Sequence, residues 1–209
     1  MSDPLAVLRR VREYRPEPAP PAGERCELCS EPIEDDHGHL VDLRARSLMC
    51  ACRGCRLLFA SEGAGGDHYR AVPDRYLSFP GFEMSSGQWE SLQIPVSVAF
   101  FFHNSGLGRV AAFYPGPAGP TESLLSLETW DELVLANPSL GSMQPDVEAF
   151  LVRAPRGAAA PECYLVPIDA CYELVGHLRR LWRGFDGGQE AHDALESFFT
   201  RVRSKATLL

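Results

Sequence analysis

The sequence predicts an α+β fold, in which a small four-cysteine metal-binding module precedes a domain with a mostly antiparallel sheet and two C-terminal helices. Three observations lead to this prediction. Two C-x-x-C pairs lie in the first third of the chain, apolar runs rich in Val and Phe follow, and two segments with apolar residues at helical spacing come last. Runs of strands followed by runs of helices are typical of α+β proteins.

The first 24 residues predict a helix and a linker. Val7, Leu8, Val11 and Tyr14 recur at helical spacing, which indicates an amphipathic helix. Residues 15–24 carry four prolines, which cannot continue a helix, and we expect a semi-rigid linker there. Beyond it the composition predicts a cysteine-rich module, an irregular connection and the α+β domain, at residues 25–60, 61–88 and 89–209.

Hairpin and strand patterns dominate the first half of the predicted domain. Residues 92–103 form a nearly continuous apolar run, which is typical of a buried strand. The turn residues Asn104, Ser105 and Gly106 follow, so residues 109–114 can return as the partner strand. Later patterns predict a loop, a short helix and two further strands, at residues 115–120, 127–136, 147–152 and 163–167.

The last forty or so residues predict two amphipathic helices. Asp169 is a suitable N-cap for the first helix, and the glycine-containing segment 184–188 ends it. The apolar stripe of the first helix consists of Cys171, Leu174, Val175, Leu178, Leu181 and Trp182. The stripe of the second consists of Ala191, Leu195, Phe198, Phe199 and Val202.

The two cysteine pairs are the strongest chemical pattern in the sequence. Cys26 and Cys29 form one pair, Cys52 and Cys55 form the other, and 22 residues lie between them. A C-x-x-C turn directs two sulfurs at one point, so two such turns can build a tetrahedral four-sulfur site. These four cysteines are therefore the predicted metal ligands.

The spacing around the pairs also predicts the architecture of the module. Residues 39–43 and 47–49 can form the arms of a hairpin, and residues 53–60 can form a helix, an order that resembles treble-clef and zinc-ribbon modules. So short a chain does not fold on its own apolar core, whereas a structural zinc ion contributes about 10–16 kcal/mol in small peptides. Zinc is the predicted cofactor, and iron or an iron–sulfur cluster on the same sulfurs is the alternative.

Cys50, His37 and His39 are alternative ligands. Cys50 lies two residues before Cys52 and can replace it as a ligand, remain a spare thiol, or pack as a small apolar residue. The histidines lie between the cysteine pairs beside acidic residues, where solvent exposure and a mixed Cys/His site are both open. Cys163 and Cys171 fall on apolar patterns, and we expect them to be buried.

Charge and composition exclude several classes of function. The net charge of −8 disfavours a nucleic-acid surface, which needs clustered Lys and Arg, and disfavours adsorption to an anionic membrane. The longest apolar run, residues 94–102, is far shorter than the roughly 20 residues of a membrane span. The N-terminus does not resemble a secretory signal, so a cytoplasmic location with reduced thiols is expected.

The sequence predicts no catalytic residue. It contains no G-x-S-x-G elbow, no phosphate-binding G-x-x-x-x-G-K-[ST] loop and no H-E-x-x-H zinc helix. We therefore expect an accessory protein that docks onto a protein partner, and an enzyme with a site in the second domain is a further hypothesis that no motif supports. An iron-binding electron-transfer or cluster-handling protein is the alternative.

Eight segments of the chain together carry a resemblance to known proteins. They are CELC, HGHL, CACRGCRLLF, VPDRY, IPVSVAFFF, FYPGPAGPTES, PDVEAFLV and PIDACYELVGHLRRLWRG, which begin at residues 26, 37, 50, 72, 94, 113, 145 and 167. These segments resemble a family of actinobacterial proteins of unknown function, whose members look like accessory products encoded beside high-affinity nickel–iron uptake hydrogenases. The resemblance implies that hydrogenase subunits are the partner and that the protein supports maturation, assembly or electron transfer.

Overall fold

The computed structural model describes residues 23–61, 63–66, 68–123, 127–154, 160–184 and 187–209. The helix predicted from Asp3 to Tyr14 and nearly all of the predicted linker lie outside the described residues. The described part contains both helices and strands, and its sheets are mostly antiparallel, which confirms the α+β prediction.

The cysteine-rich module consists of a turn, a hairpin and a helix in that order. Strands β1 (Gly38–Asp42) and β2 (Ser47–Ala51) form the antiparallel hairpin, and helix α1 (Arg53–Leu58) follows at once. This is the treble-clef order that the cysteine spacing predicts. Strand β3 (Tyr69–Ala71) pairs with β1, so the sheet of the module has the order β2-β1-β3 and extends past residue 60.

The main domain is built on a second sheet of seven strands. These strands are β4 (Leu77–Ser78), β5 (Val98–Asn104), β6 (Arg109–Gly116), β7 (Gly119–Ser123), β8 (Glu148–Arg153), β9 (Glu162–Pro167) and β10 (Thr207–Leu208). Their order in the sheet is β10-β4-β9-β8-β5-β6-β7, and all neighbouring pairs are antiparallel except β10 and β4.

Helices cover both faces of this sheet. Helices α4 (Ile168–Leu181) and α5 (Gly188–Lys205) pack on the face that carries Phe100. The opposite face, which carries Phe101, is covered by α3 (Leu127–Ala136) and a 3-10 helix (Pro138–Ser142). Burial on both faces explains why β5 is apolar at consecutive positions instead of alternating. Among the described helices, none combines the length and apolar character needed to cross a lipid bilayer.

Two segments differ from the sequence-based expectation. Residues 115–120 are predicted as a loop, yet β6 and β7 meet there in a tight hairpin, with Gly116 paired to Gly119 at a φ of 124°. A φ in this range suits glycine because it has no Cβ. The connection predicted as irregular, residues 61–88, contains β3 and β4. Helix α2 (Ser86–Ser91) begins near the end of this connection, where Ser85 is the N-cap and forms a capping box. These strands are two or three residues long, too short for a periodic pattern to reveal.

The starts of one strand and one helix also differ from their predicted positions. The apolar run predicted as a strand from residue 92 enters the sheet only at Val98, after Pro95, which has no N–H to donate to a ladder. Helix α4 begins after Pro167, so the prediction of Asp169 as its N-cap is wrong. Asp169 lies inside the first turn, and its carboxylate is turned toward the cysteine-rich module, where it contacts His39.

Candidate metal centre

The structure brings the sulfurs of the two C-x-x-C pairs together. The Sγ atoms of Cys26, Cys29, Cys52 and Cys55 all lie within 4.8 Å of one another, and those of Cys29 and Cys52 are 3.6 Å apart. With Zn–S bonds of about 2.3 Å, the sulfurs of a tetrahedral site are about 3.8 Å apart. The four cysteines can therefore hold one metal ion without a change of fold.

Backbone hydrogen bonds shape the first cysteine turn. The N–H of Ser30 donates to the carbonyl of Cys26 at 2.8 Å, and the N–H of Cys26 donates to the carbonyl of Glu31 at 2.8 Å. Ser30 has a φ of 63°, in the left-handed region, which lets the chain reverse within a few residues. The tight turn holds Cys26 and Cys29 on the same side of the chain.

The second pair lies where β2 passes into helix α1. Cys52 is the N-cap of α1, and its Sγ accepts the backbone N–H of Cys55 at 3.4 Å. The helix therefore places Cys55 one turn after Cys52, which is the reason that the C-x-x-C spacing brings both sulfurs to one side. An N–H group of the helix N-terminus also favours negative charge on the sulfur that it contacts.

The thiols of the group differ in acidity. Burial opposes ionisation of Cys26, but backbone N–H groups of Cys52, Cys29 and Leu28 lower the pKa of its thiol to about 6. Burial and hydrogen bonds to the other thiols raise the pKa of Cys55 to about 12. The site thus favours one thiolate and opposes further negative charge, a conflict that a bound cation removes because coordinated thiols lose their protons.

The sulfur group also forms much of the small core of the module. Among the described residues, the buried members of this core are Cys26, Leu40, Ala51 and Cys55, so half of them are candidate ligands. On the outer side of the group, Cys52 is half-buried and Cys29 is exposed. The centre is closed toward the module and reaches the surface at Cys29.

The three alternative ligands form a group of their own. Ligand atoms of His37, His39 and Cys50 lie within 4.8 Å of one another, separate from the four-sulfur group. The structure assigns Cys52 to the sulfur group and Cys50 to the histidine group, which separates the two thiols that spacing alone leaves interchangeable.

Cys163 and Cys171 are buried in the main domain, as expected, and burial raises the pKa of both thiols.

Sequence reasoning missed one residue that belongs near these groups. Asp169 Oδ2 lies 2.9 Å from His39 Nδ1, although 130 residues separate the two in the chain. No local pattern connects them, because the contact exists only when α4 packs beside the hairpin of the module.

Comparisons with known proteins identify a family without a known activity. Residues 25–206 match the model of a family of unknown function (DUF5947). No curated protein and no solved structure matches this chain. The match covers the whole cysteine-rich module and nearly all of the main domain.

Proposed function

We propose that this chain, which belongs to the family of unknown function DUF5947, is a non-catalytic accessory protein whose four-cysteine centre holds one structural zinc ion. One observation carries the proposal. Among the described residues, only Leu40 and Ala51 are buried in the core of the module besides two candidate ligands. So small an apolar core contributes only a few kcal/mol, whereas a structural zinc ion contributes about 10–16 kcal/mol.

The donor set supports zinc in a structural role. Four thiolates complete a tetrahedron and leave no position for water or substrate, which is the arrangement of structural zinc sites. The ion would join the first cysteine turn to the start of α1 and so close the module around its hairpin. We also propose a cytoplasmic location, because none of the seven cysteines, all of which lie among the described residues, forms a disulfide, and reduced cysteines are typical of that compartment.

The surface of the module supports a role in protein contacts. Leu57 and Leu58 follow Cys55 in α1, and they are 63% and 68% exposed. Two adjacent exposed leucines beside a rigid centre suit a protein partner. The resemblance of the sequence segments supplies the candidate, and we propose that the partner is a nickel–iron uptake hydrogenase whose assembly or maturation this protein supports.

Metal analysis of the purified protein, together with the Cys29→Ser variant, tests the zinc centre. We expect zinc in the native protein and one ion fewer per chain in the variant, with Cys163→Ser as a matched control that keeps its metal. A Cys29→Ser variant that retains as many metal ions per chain as the native protein would contradict the proposed centre. Co-purification from the native host tests the partner, and a pull-down without hydrogenase subunits would overturn that part.

An iron centre is the second candidate because Cys29 is exposed. A centre that reaches the surface can exchange electrons with a partner, and four thiolates also bind iron. In that case the protein would transfer electrons or handle iron–sulfur clusters. An aerobically purified iron protein absorbs visible light, whereas a zinc protein is colourless, so stoichiometric iron without zinc would select this alternative.

A further inference from the structure

We propose that His37, His39 and Cys50 form a second metal site, which binds one divalent ion of the zinc and cobalt class through three protein ligands and leaves a fourth position open. Their ligand atoms lie within 4.8 Å of one another. The site is separate from the four-sulfur centre and is not needed for the proposed structural role of that centre.

The hairpin of the module brings the three side chains to one face. His39 lies directly opposite Cys50 in the β1–β2 register, and His37 lies two residues before His39. Side chains two residues apart along a strand point to the same face, and the rings of His37 and His39 have centroids 4.9 Å apart. Leu40 and Ala51 point to the opposite face, where they pack in the core beside the four-sulfur centre.

An unpaired nitrogen atom of His37 points independently to a ligand. The His37 side chain is only 9% exposed, and its buried Nε2 has no hydrogen-bond partner among the described residues. The Nδ1 of the same ring lies 2.8 Å from the carbonyl oxygen of Glu34 and must donate to it. Nε2 therefore carries the lone pair of the neutral ring, which is the form that binds a metal ion.

His39 is held in the corresponding state by the main domain. Its Nδ1 lies 2.9 Å from Oδ2 of Asp169, so the carboxylate accepts the Nδ1 proton and leaves Nε2 for an ion. A carboxylate behind a metal-binding histidine fixes the tautomer and the orientation of the ring. Asp169 is thus a positioning residue of the proposed site.

The surroundings of Cys50 favour a cation. The carboxylate of Glu27 lies beside Cys50, because its Oε2 accepts the backbone N–H of Cys50 at 2.5 Å. Its negative charge attracts a divalent ion, and binding would form the metal–sulfur bond and release the thiol proton to solvent. Two imidazoles and one thiolate suit zinc-like ions, and three protein ligands leave room for water or an exogenous ligand.

Cobalt titration of the full-length protein, loaded beforehand with only one zinc ion per chain for the four-sulfur centre, tests this site. We expect the wild-type chain to bind one Co²⁺ beyond the ion of the four-sulfur centre, with a cobalt–thiolate absorption band. His37→Ala and Cys50→Ala should each abolish this additional binding, whereas His177→Ala, which replaces an exposed histidine of α4, should leave it unchanged. Asp169→Asn should weaken cobalt binding by about 10- to 100-fold.

The outcomes separate this site from the four-sulfur centre. Cys29→Ser should remove one ion and leave the cobalt equivalent that depends on Cys50. Far-UV circular dichroism of each variant checks that the domain remains folded. The proposal is overturned if the wild-type chain binds no additional cobalt, or if Cys50→Ala and His37→Ala bind it as the wild type does, whatever the result at Cys29.

Discussion

His39 of strand β1 and Asp169 of helix α4 join the cysteine-rich module to the main domain through a contact of 2.9 Å between Nδ1 and Oδ2. A second link lies nearby, where Arg70 of β3 donates to the carbonyl of Pro145 at 2.9 Å and faces the carboxylate of Asp146. Val41 and Leu48 of the hairpin also pack against the core beneath α4 and α5. The module is therefore seated on the main domain by both polar and apolar contacts.

The first prediction separates ligands from bystanders in the four-sulfur centre. In a His37→Ala background, which removes the proposed second site, Cys26→Ser and Cys52→Ser should each abolish zinc binding, because each removes one of four thiolates. Cys50→Ser in the same background should retain one zinc ion per chain. Elemental analysis measures the result, and zinc retained in Cys52→Ser but lost in Cys50→Ser would show that the thiols are assigned the wrong way round.

The second prediction concerns removal of the metal. A strong chelator should unfold the module and leave the main sheet intact, because the module has a small core and the main domain has two large ones. Hydrogen exchange should accelerate in Gly38–Asp42 and remain slow in Val98–Asn104. Equal protection of both strands before and after chelation would contradict a structural role for the ion.

The third prediction is that zinc affinity falls as the pH falls. Protons compete with zinc for the thiolates. Because the pKa of Cys26 is about 6, protons compete with zinc for this thiolate only below about that pH. Cys55, with a pKa of about 12, must release a proton at all lower pH values. Competition titrations against a chromophoric chelator should show the apparent affinity dropping more steeply below pH 6 than above it, and a pH-independent affinity would refute thiolate ligation.

The fourth prediction concerns the ion pair between the partly exposed Arg75 and the buried Glu148 in the main domain. Arg75 donates to the fully buried carboxylate of Glu148 through Nε at 2.7 Å and Nη2 at 2.6 Å. Arg75→Met should lower the free energy of unfolding by about 3 kcal/mol, because it leaves a buried charge unpaired.

Urea denaturation measures this loss. Adding Glu148→Met to Arg75→Met should recover part of the lost stability, since the unpaired charge is then gone. Arg75→Lys should fall between wild type and Arg75→Met, because lysine keeps the charge but cannot form the two-pronged contact. Unchanged stability in Arg75→Met would show that the pair contributes nothing.

The fifth prediction tests the exposed leucines as a contact surface. Leu57→Asp and Leu58→Asp should change the free energy of unfolding by no more than about 0.5 kcal/mol, because both side chains are exposed. They should nevertheless reduce recovery of the partner in pull-downs from the native host. Leu135→Asp on α3 is the matched control, since Leu135 is 81% exposed far from the module in sequence. An equal loss of partner in the control would argue against a specific surface.

Much of the fold follows from local patterns. The predicted short helix and Leu127–Ala136 coincide in their bounds, and both C-terminal helices bury the predicted stripes in large part. The predicted hairpin and helix of the module agree with β1, β2 and α1 within one or two residues at each end. Helical and strand periods are properties of neighbouring residues, so they can be read from the chain itself.

Short strands and the grouping of metal ligands cannot be predicted from local patterns in this way. Strand β10 exists because it pairs with β4, which lies far earlier in the chain, and neither has a pattern of its own. The tight turn at Gly119 depends on a backbone conformation that the surrounding prolines obscure. Such features depend on partners that are distant in sequence. Bringing these partners together costs chain entropy, and only the contacts of the complete fold offset that cost.

By itself, the sequence determined that each C-x-x-C turn holds its own two sulfurs together, and it predicted that the two pairs would meet at one site. Only the tertiary structure decided that Cys50 lies with His37 and His39 on the other face of the hairpin, and that Asp169 stands behind His39. The physical reason is that strand register selects the face on which a side chain lies. The packing of α4 then brings its first turn to that face from 130 residues away.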